Sequence, residues 1–231
     1  MTRQLPLQMT TRVRYAADNF LRHHGVAALV ESCRTFCAAD AFALGFVVGP
    51  RRSGKTHLAI HLLDAVGAVA RFPRLLEGGE FGQFINSVGV EPFASEDLFI
   101  VDDAHTYLET LGAGDSGPFV AFVEKLRLAR AGLILLSRQP LEAFRFDEHV
   151  RSRLIPGAGL VIGPPADEDM PKLIEMMAKQ RGIRLKERKI DYVVRRLGRD
   201  IGAIERYFDR VRHLADVLGQ AVKFPVLGDA V

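Results

Sequence analysis

Gly49-Pro50-Arg51-Arg52-Ser53-Gly54-Lys55-Thr56 carries the spacing GxxxxGK[ST], and the residues on either side decide how it folds. The apolar run Ala43–Val48 leads straight in, and a helical pattern over Lys55–Val66 leads straight out. That order has a physical reason. Small residues let backbone N–H groups wrap a phosphate, and the N-terminus of the following helix adds a favourable dipole. In such a loop Lys55 neutralises β/γ-phosphate charge, Thr56 holds Mg²⁺, and Gly49, Pro50, Arg51, Arg52, Ser53, Gly54 and His57 surround the phosphates. At ordinary residue usage a chain of this length shows the pattern by chance about once in a hundred.

Two elements beyond the loop, Leu98-Phe-Ile-Val101 runs into Asp102 and Asp103. An apolar strand ending in carboxylates beside a phosphate loop places the first near Mg²⁺ and the second near an attacking water. Leu133–Leu136 ends in Ser137, on the same edge of a parallel sheet, where a hydroxyl can sense a γ-phosphate or water. Arg153, just before the last apolar run, is a candidate finger that stabilises transferred phosphate charge in a neighbouring molecule.

The strand candidates are Ala43–Val48, Ala68–Phe72, Leu98–Val101, Leu133–Leu136 and Gly159–Ile162, each a short continuous apolar run of the kind covered on both faces. Helical patterns lie between them, over Val26–Phe36, Lys55–Val66, Gly79–Val88 and Pro118–Arg130. Alternation of this kind predicts an α/β fold, a five-stranded parallel sheet with helices on both faces. After Pro164-Pro165 the pattern is purely helical: Asp167 as N-cap of a helix through Gln180, then Glu187–Leu197 and Asp200–Leu218. The chain therefore divides into an extended tail (1–11), a nucleotide-binding domain (12–164) and a small three-helix lid (165–231).

Composition narrows the class. The 231 residues are 48% apolar and 26% charged, ordinary globular usage. No apolar run reaches the ~18 residues of a membrane span, and MTRQLPLQMTTR lacks the apolar core of a secretory signal. A cytoplasmic setting is expected, and two cysteines without a disulfide pattern agree with it. Cys33 and Cys37, four residues apart on a helix, read as core rather than metal ligands. The net charge of +3 is uneven: residues 1–166 hold 17 Lys/Arg against 17 Asp/Glu, and residues 167–231 hold 14 against 11. Within Lys179–Arg199 nine basic residues face Glu187 and Asp191, with Tyr192 the one aromatic, which argues against a single-strand stacking platform.

Taken together, GPRRSGKTHLA, FIVDDAH, LSRQP and RSRL resemble the AAA+ ATPases, and within them the DnaA clade, over about residues 12–220. The resemblance implies an αβα P-loop domain with a lid, binding ATP or ADP with Mg²⁺. It implies adenine contacts from Leu21 and Val26, for which core packing is an equal reading, Ser137 as first sensor, and Arg153 as trans arginine. An initiator of the clade carries a DNA-binding domain after its lid. Here the chain ends at Val231, about thirteen residues past the last helical pattern, so the clade's short regulatory homologues are the expected match. Gln4, Leu5, Leu7 and Met9 in the tail resemble the QxxLxF/L peptide that docks on the replicative sliding clamp, with Met9 where Phe or Leu is usual.

For those homologues the resemblance implies hydrolysis of DnaA-bound ATP, stimulated on the DNA-loaded clamp, and so inhibition of re-initiation of replication. An adaptor that anchors DnaA without stimulating it, and an autonomous helicase-loader ATPase, stay open. The clade's lid helix places a second-sensor arginine where this chain has Gly202, which implies slow intrinsic hydrolysis. Arg199 and Arg206 read as nearby but out of register. Non-specific DNA contact through 179–199 and self-association also stay open.

Overall fold

A computed structural model describes residues 19–38, 40–67, 71–88, 92–111, 116–219 and 221–231. Five strands, β1 (Ala43–Val48), β2 (Phe72–Glu77), β3 (Asp97–Asp102), β4 (Gly132–Ser137) and β5 (Leu160–Val161), form one sheet in the order β2-β3-β4-β1-β5, with every pairing parallel. The helices are α1 (His24–Ala38), α2 (Lys55–Gly67), α3 (Gly78–Ser87), α4 (His105–Leu108), α5 (Gly117–Ala129), α6 (Glu148–Leu154), α7 (Met170–Gln180), α8 (Glu187–Val194), α9 (Ile201–Leu218) and α10 (Phe224–Asp229).

The central strands are apolar because both of their faces are covered. On β3, Leu98 and Ile100 join the cluster under α1 and α2, while Phe99 and Val101 join the cluster under α3, α5 and α6. On β4, Ile134 and Leu136 take the first side and Leu133 and Leu135 the second. Each such side chain stabilises the fold by about 2 kcal/mol through burial. Phe81, Phe84, Phe93, Phe99 and Phe122 meet largely edge to face in the second cluster, the arrangement favoured by ring quadrupoles.

One strand departs from expectation. β2 is not Ala68–Phe72; it begins at Phe72, and residues 68–70 lie outside the described ones. It is an edge strand, hydrogen-bonded on one side to β3, and Phe72 is 72% exposed. A search for continuous apolar runs finds doubly covered strands and passes over such an edge. Pro73 fits there, since an edge strand need not donate every N–H to a ladder.

A third cluster is built mainly from α7 to α10, around Leu173, Ile174, Ile204, Tyr207, Phe208, Val211 and Leu227. It holds four helices among the described residues, not three: α10 is six residues, too short to show a period. On α9 Ile204, Tyr207, Phe208 and Val211 are buried, and Leu218 stays half exposed. Asp200 caps α9 by accepting from Ala203 N at 3.0 Å. Asp167 does not cap α7. A 3₁₀ turn over Asp167–Asp169 comes first, and it is Asp169 that accepts from Ala166 N at 2.9 Å.

Cys33 and Cys37 are buried, and burial pushes both thiols up to about 12, so they act as small apolar side chains. No helix among the described residues is long and apolar enough to cross a membrane.

Candidate functional site

The strands β3, β4 and β1 are neighbours in the sheet, so their carboxyl ends share one edge. This juxtaposition gathers Asp102, Asp103, Ser137 and the 49–56 loop. Gly49 N donates to Ser137 O at 3.0 Å and fastens the loop to β4. The loop turns through left-handed backbone at Arg52 (φ 64°) and Gly54 (φ 91°). A Cβ at Gly49 would stand 2.5 Å from Ser53 Oγ and 3.0 Å from Ile162 Cδ1, so a larger residue would have to push those side chains aside.

Lys55 is 6% exposed and its ammonium donates to Gly49 O and Pro50 O, both at 3.0 Å. Burial lowers its pKa; Asp103 and Asp102 pull it back up, and Arg138 lowers it further. Thr56 Oγ1 donates to Asp102 Oδ2 at 2.6 Å, across 46 residues of sequence. A hydroxyl and a carboxylate held together this way are two hard oxygen ligands for Mg²⁺. Among the described residues no cluster of three His, Cys, Asp or Glu could hold a metal ion unaided. With two oxygens from the chain, most of such an ion's coordination would come from phosphates and water. Asp103, next in the chain, is exposed and sits at φ 46°, a conformation costly for a non-glycine residue.

Ser137 lies on the same edge, but its hydroxyl is engaged locally. It donates to Gln139 O at 2.7 Å and accepts from Gln139 N at 3.0 Å, fully buried. Sequence reasoning missed its neighbours: the exposed Arg138 donates through Nε to Nε2 of the fully buried His105. His105 Nδ1 faces Asp103 Oδ1 at 3.8 Å. Burial, then Arg138, lowers the imidazole's pKa, so it is neutral near pH 7. A lone histidine after DDA carries no spacing signal that would have revealed this.

The segment before α1 ties the sheet to the helical cluster. Phe20 stacks on His61 of α2 (4.5 Å between ring centres) and Asn19 O accepts from Gln180 of α7. Val26 is buried in the cluster under α1 and α2, whereas Leu21 packs on the cluster of α7–α10. The two residues thus line opposite sides of the junction. A Cβ on Gly25 would lie 2.2 Å from Gly163 O and 2.4 Å from Pro164 O. Both contacts are backbone, so Gly25→Ala should cost about 2–3 kcal/mol in stability, read as a lower denaturation midpoint at constant m-value. An unchanged midpoint would show that the junction yields freely.

At Gly202 the N-terminus of α9 meets the loop. A Cβ there would stand 3.0 Å from Arg52 Cβ and 3.4 Å from Arg206 Nη1. Arg206, one helical turn on, lies on the same face of α9 as Gly202. Glu205 pairs with Arg52 of the loop at 3.7 Å and with Arg181 at 3.7 Å. His57 on α2 has its pKa lowered by burial and then by Arg181. So of the basic stretch 179–199, Arg181 is buried and also pairs with Asp209 at 2.7 Å. Arg199 pairs with Asp167 at 2.6 Å, and Arg196 sits 3.6 Å over the Tyr192 ring.

Arg153 lies apart from the phosphate loop. Its Nε stands 2.8 Å from Glu124 Oε1 of α5, a close ion pair in which the N–H does not point along the contact, and Nη1 donates to His149 O at 2.8 Å. Gln4, Leu5, Leu7 and Met9 lie outside the described residues.

A parallel sheet in this order, with a phosphate loop after β1 and paired carboxylates after β3, has the fold of the AAA+ P-loop ATPases. Solved structures agree: TM-score 0.70 with domain III of Thermotoga maritima DnaA (14% identity, 94% of this chain and 95% of that one) and 0.62 with the T. maritima RuvB branch-migration motor (14%, 94% and 71%). AMPPCP-bound DnaA from Aquifex aeolicus gives 0.64 at 18% identity, covering 91% and 67%.

In sequence the chain is similar to DnaA. It is 28% identical over 217 residues to the chromosomal replication initiator DnaA of Thermus thermophilus (87% of this chain, 47% of the relative) and 24% identical over 235 residues to that of Psychromonas ingrahamii (94% and 50%). The chain spans about half the length of these relatives. No family model matches it.

Proposed function

We propose that this chain is a DnaA-like AAA+ regulator of the Hda type. It binds ATP or ADP with Mg²⁺ between a nucleotide-binding domain (12–164) and a lid (165–231), docks through its tail on the DNA-loaded sliding clamp, and promotes hydrolysis of DnaA-bound ATP. The observation that carries the nucleotide reading is the 2.6 Å Thr56–Asp102 bond beneath a loop already holding the Lys55 ammonium. The ion would supply charge neutralisation at the phosphates. Lys55 and the loop N–H groups bind the phosphates, Asp103 stands where a water would be oriented, and Leu21 and Val26 flank the base.

Two features favour a regulator over an autonomous ATPase. Gly202 puts no side chain toward the nucleotide from the first turn of α9, and Arg153 is held away from this chain's own phosphate loop. Both fit slow intrinsic turnover, with nucleotide as a regulatory ligand. Arg153 sits on the α5–α6 face, paired with Glu124, where a second AAA+ protein can meet it. The peptide Gln4-Leu-Pro-Leu7-Gln-Met9 favours the clamp as the platform.

The experiment is a reconstituted assay of DnaA-ATP hydrolysis with and without DNA-loaded clamp. Stimulation that needs both this chain and the clamp supports the reading; none in either condition favours an anchoring adaptor. Rapid ATP turnover by the chain alone, at several per second, favours a helicase loader instead. Separately, Leu7→Ala should abolish capture by immobilised clamp, because the apolar anchor of a short extended peptide supplies most of its affinity. Full capture by the Leu7→Ala protein would remove the clamp from the proposal.

A further inference from the structure

We infer that the lid carries a second binding surface, on the solvent face of α8 and the flank it shares with α10, that holds the phosphate backbone of duplex DNA without reading its sequence. The surface needs neither nucleotide nor the tail. Of the nine basic residues within 179–199, three are committed to partners in the chain. Arg181 is buried and paired with Asp209, Arg199 is paired with Asp167, and the Lys189 ammonium donates to Val222 O at 2.6 Å. Lys179, Arg184, Lys186, Arg188, Arg195 and Arg196 remain exposed, and none of them makes an ion pair among the described residues.

The helix period gathers the cations of α8. Successive residues turn by about 100°, and Ile190 and Val193 point into the cluster of α7–α10. Arg188 and Arg195 therefore share the side facing water, roughly 10 Å apart. Lys189, Tyr192 and Arg196 lie on the flank toward α10, where the Tyr192 and Phe224 rings meet edge-on at 5.2 Å and Lys189 reaches Val222 O. The exposed Lys223 extends this flank at the start of α10, and at its end the exposed Arg210 of α9 donates through Nε to Ala230 O at 2.8 Å. Glu187 and Asp191 lie on the opposite flank of α8.

The partner follows from this layout. Most of the cations are guanidinium groups, whose planar fork matches phosphate oxygens. The separation of Arg188 and Arg195 is about three steps of a strand that carries one phosphate every ~3.4 Å of axis. Stacked bases find no platform at Tyr192, because the Arg196 guanidinium already lies over that ring, 3.6 Å from its centre. Nor does α8 suit a groove. A helix in the major groove has phosphates along both flanks, and Glu187 and Asp191 would face one row of them. α8 therefore lies against one backbone of the duplex, with its α10 flank turned to the phosphates.

The test is fluorescence anisotropy of the full chain, alone, with a labelled duplex of about 20 base pairs, at salt between about 50 and 200 mM. Contacts from Arg188, Arg195, Arg196 and Arg210 predict a log–log slope of about −3.6, so this rise in salt should weaken binding about a hundredfold, equally for two unrelated sequences. Arg188→Gln combined with Arg195→Gln should make the slope shallower by about 2 and weaken binding at the lowest salt by about tenfold or more. Both side chains are exposed and glutamine suits a helix, so the melting temperature should stay where it was. Arg74→Gln combined with Arg145→Gln removes the same charge from exposed positions of the nucleotide-binding domain and should leave the slope unchanged. Absence of binding at the lowest salt overturns the inference, and so do equal losses in the two double variants, which would make net charge alone responsible. Tighter binding of a single strand of the same length would overturn the duplex, and displacement by polyglutamate as readily as by unlabelled DNA would replace it with an acidic protein. Clamp and nucleotide are left out, so failure here is read separately from failure of the regulator reading.

Discussion

Arg153→Ala should reduce stimulated hydrolysis of DnaA-bound ATP by about a thousandfold, to the level seen without this chain, while capture by the clamp and nucleotide binding by the chain itself persist. The size follows from the chemistry. Phosphoryl transfer leaves little covalent work for the protein, so a guanidinium placed on the transferring phosphate is among the largest single contributions, about 10³–10⁵ in rate. The selectivity follows from where Arg153 stands. It is paired with Glu124 and with the His149 carbonyl on α6, and neither belongs to the phosphate loop. Its side chain is 23% exposed and that of Glu124 39%, so losing the pair costs at most about 1 kcal/mol, and alanine suits the helix. The measurement is phosphate release from DnaA-ATP with loaded clamp. Undiminished stimulation would move the trans cation elsewhere, and simultaneous loss of clamp capture would mean that the substitution had unfolded the protein.

Glu124 also bears on how Arg153 is delivered. On the proposed role Arg153 would exchange Glu124 for a partner's phosphate, and the exchange is eased because the pair is partly exposed and badly aligned. A fully desolvated, bidentate pair at the same place would hold the arginine back.

What could be read from sequence follows burial and covalent order. β1, β3 and β4 were legible because both of their faces are covered, and Lys55, Thr56 and Asp102 because chain order around a phosphate loop fixes them. β2 was not, because Phe72–Glu77 is an edge whose side chains are largely exposed. α4, α6 and α10 run four, seven and six residues, too few turns for a period. Ser137 lies at the end of β4, but its hydroxyl is committed to Gln139, a turn geometry that residue type does not encode. His105 and Arg138 lie 33 residues apart and meet only because β3 and β4 are neighbours. The packing of Gly202 on Arg52 was not legible.

The other large effect lies in the loop itself. Lys55→Ala should abolish binding of both ATP and ADP, at least about a hundredfold, with the unliganded protein changed in stability by no more than about 1–2 kcal/mol. The second half is the sharper claim. Lys55 is buried at 6% exposure with its charge satisfied by two carbonyls of its own loop, Gly49 O and Pro50 O. Removing it leaves those carbonyls short of a donor, which costs stability, but also removes a desolvated ammonium, which returns some. The two terms nearly offset in the empty loop. They would not offset with nucleotide, where the ammonium would leave the carbonyls for phosphate oxygens and alanine leaves that phosphate charge without its buried counter-charge. Thermal unfolding separates the cases. At a nucleotide concentration a hundred times its dissociation constant, wild type should gain about 2.7 kcal/mol, roughly 5–10 °C for a chain of this size. Lys55→Ala should melt at the same temperature with or without nucleotide. Lys55→Arg should behave likewise, because a planar guanidinium cannot stand in for a point ammonium between two carbonyls of a closed loop. A nucleotide-dependent rise that survives in Lys55→Ala would mean that the phosphates are held elsewhere.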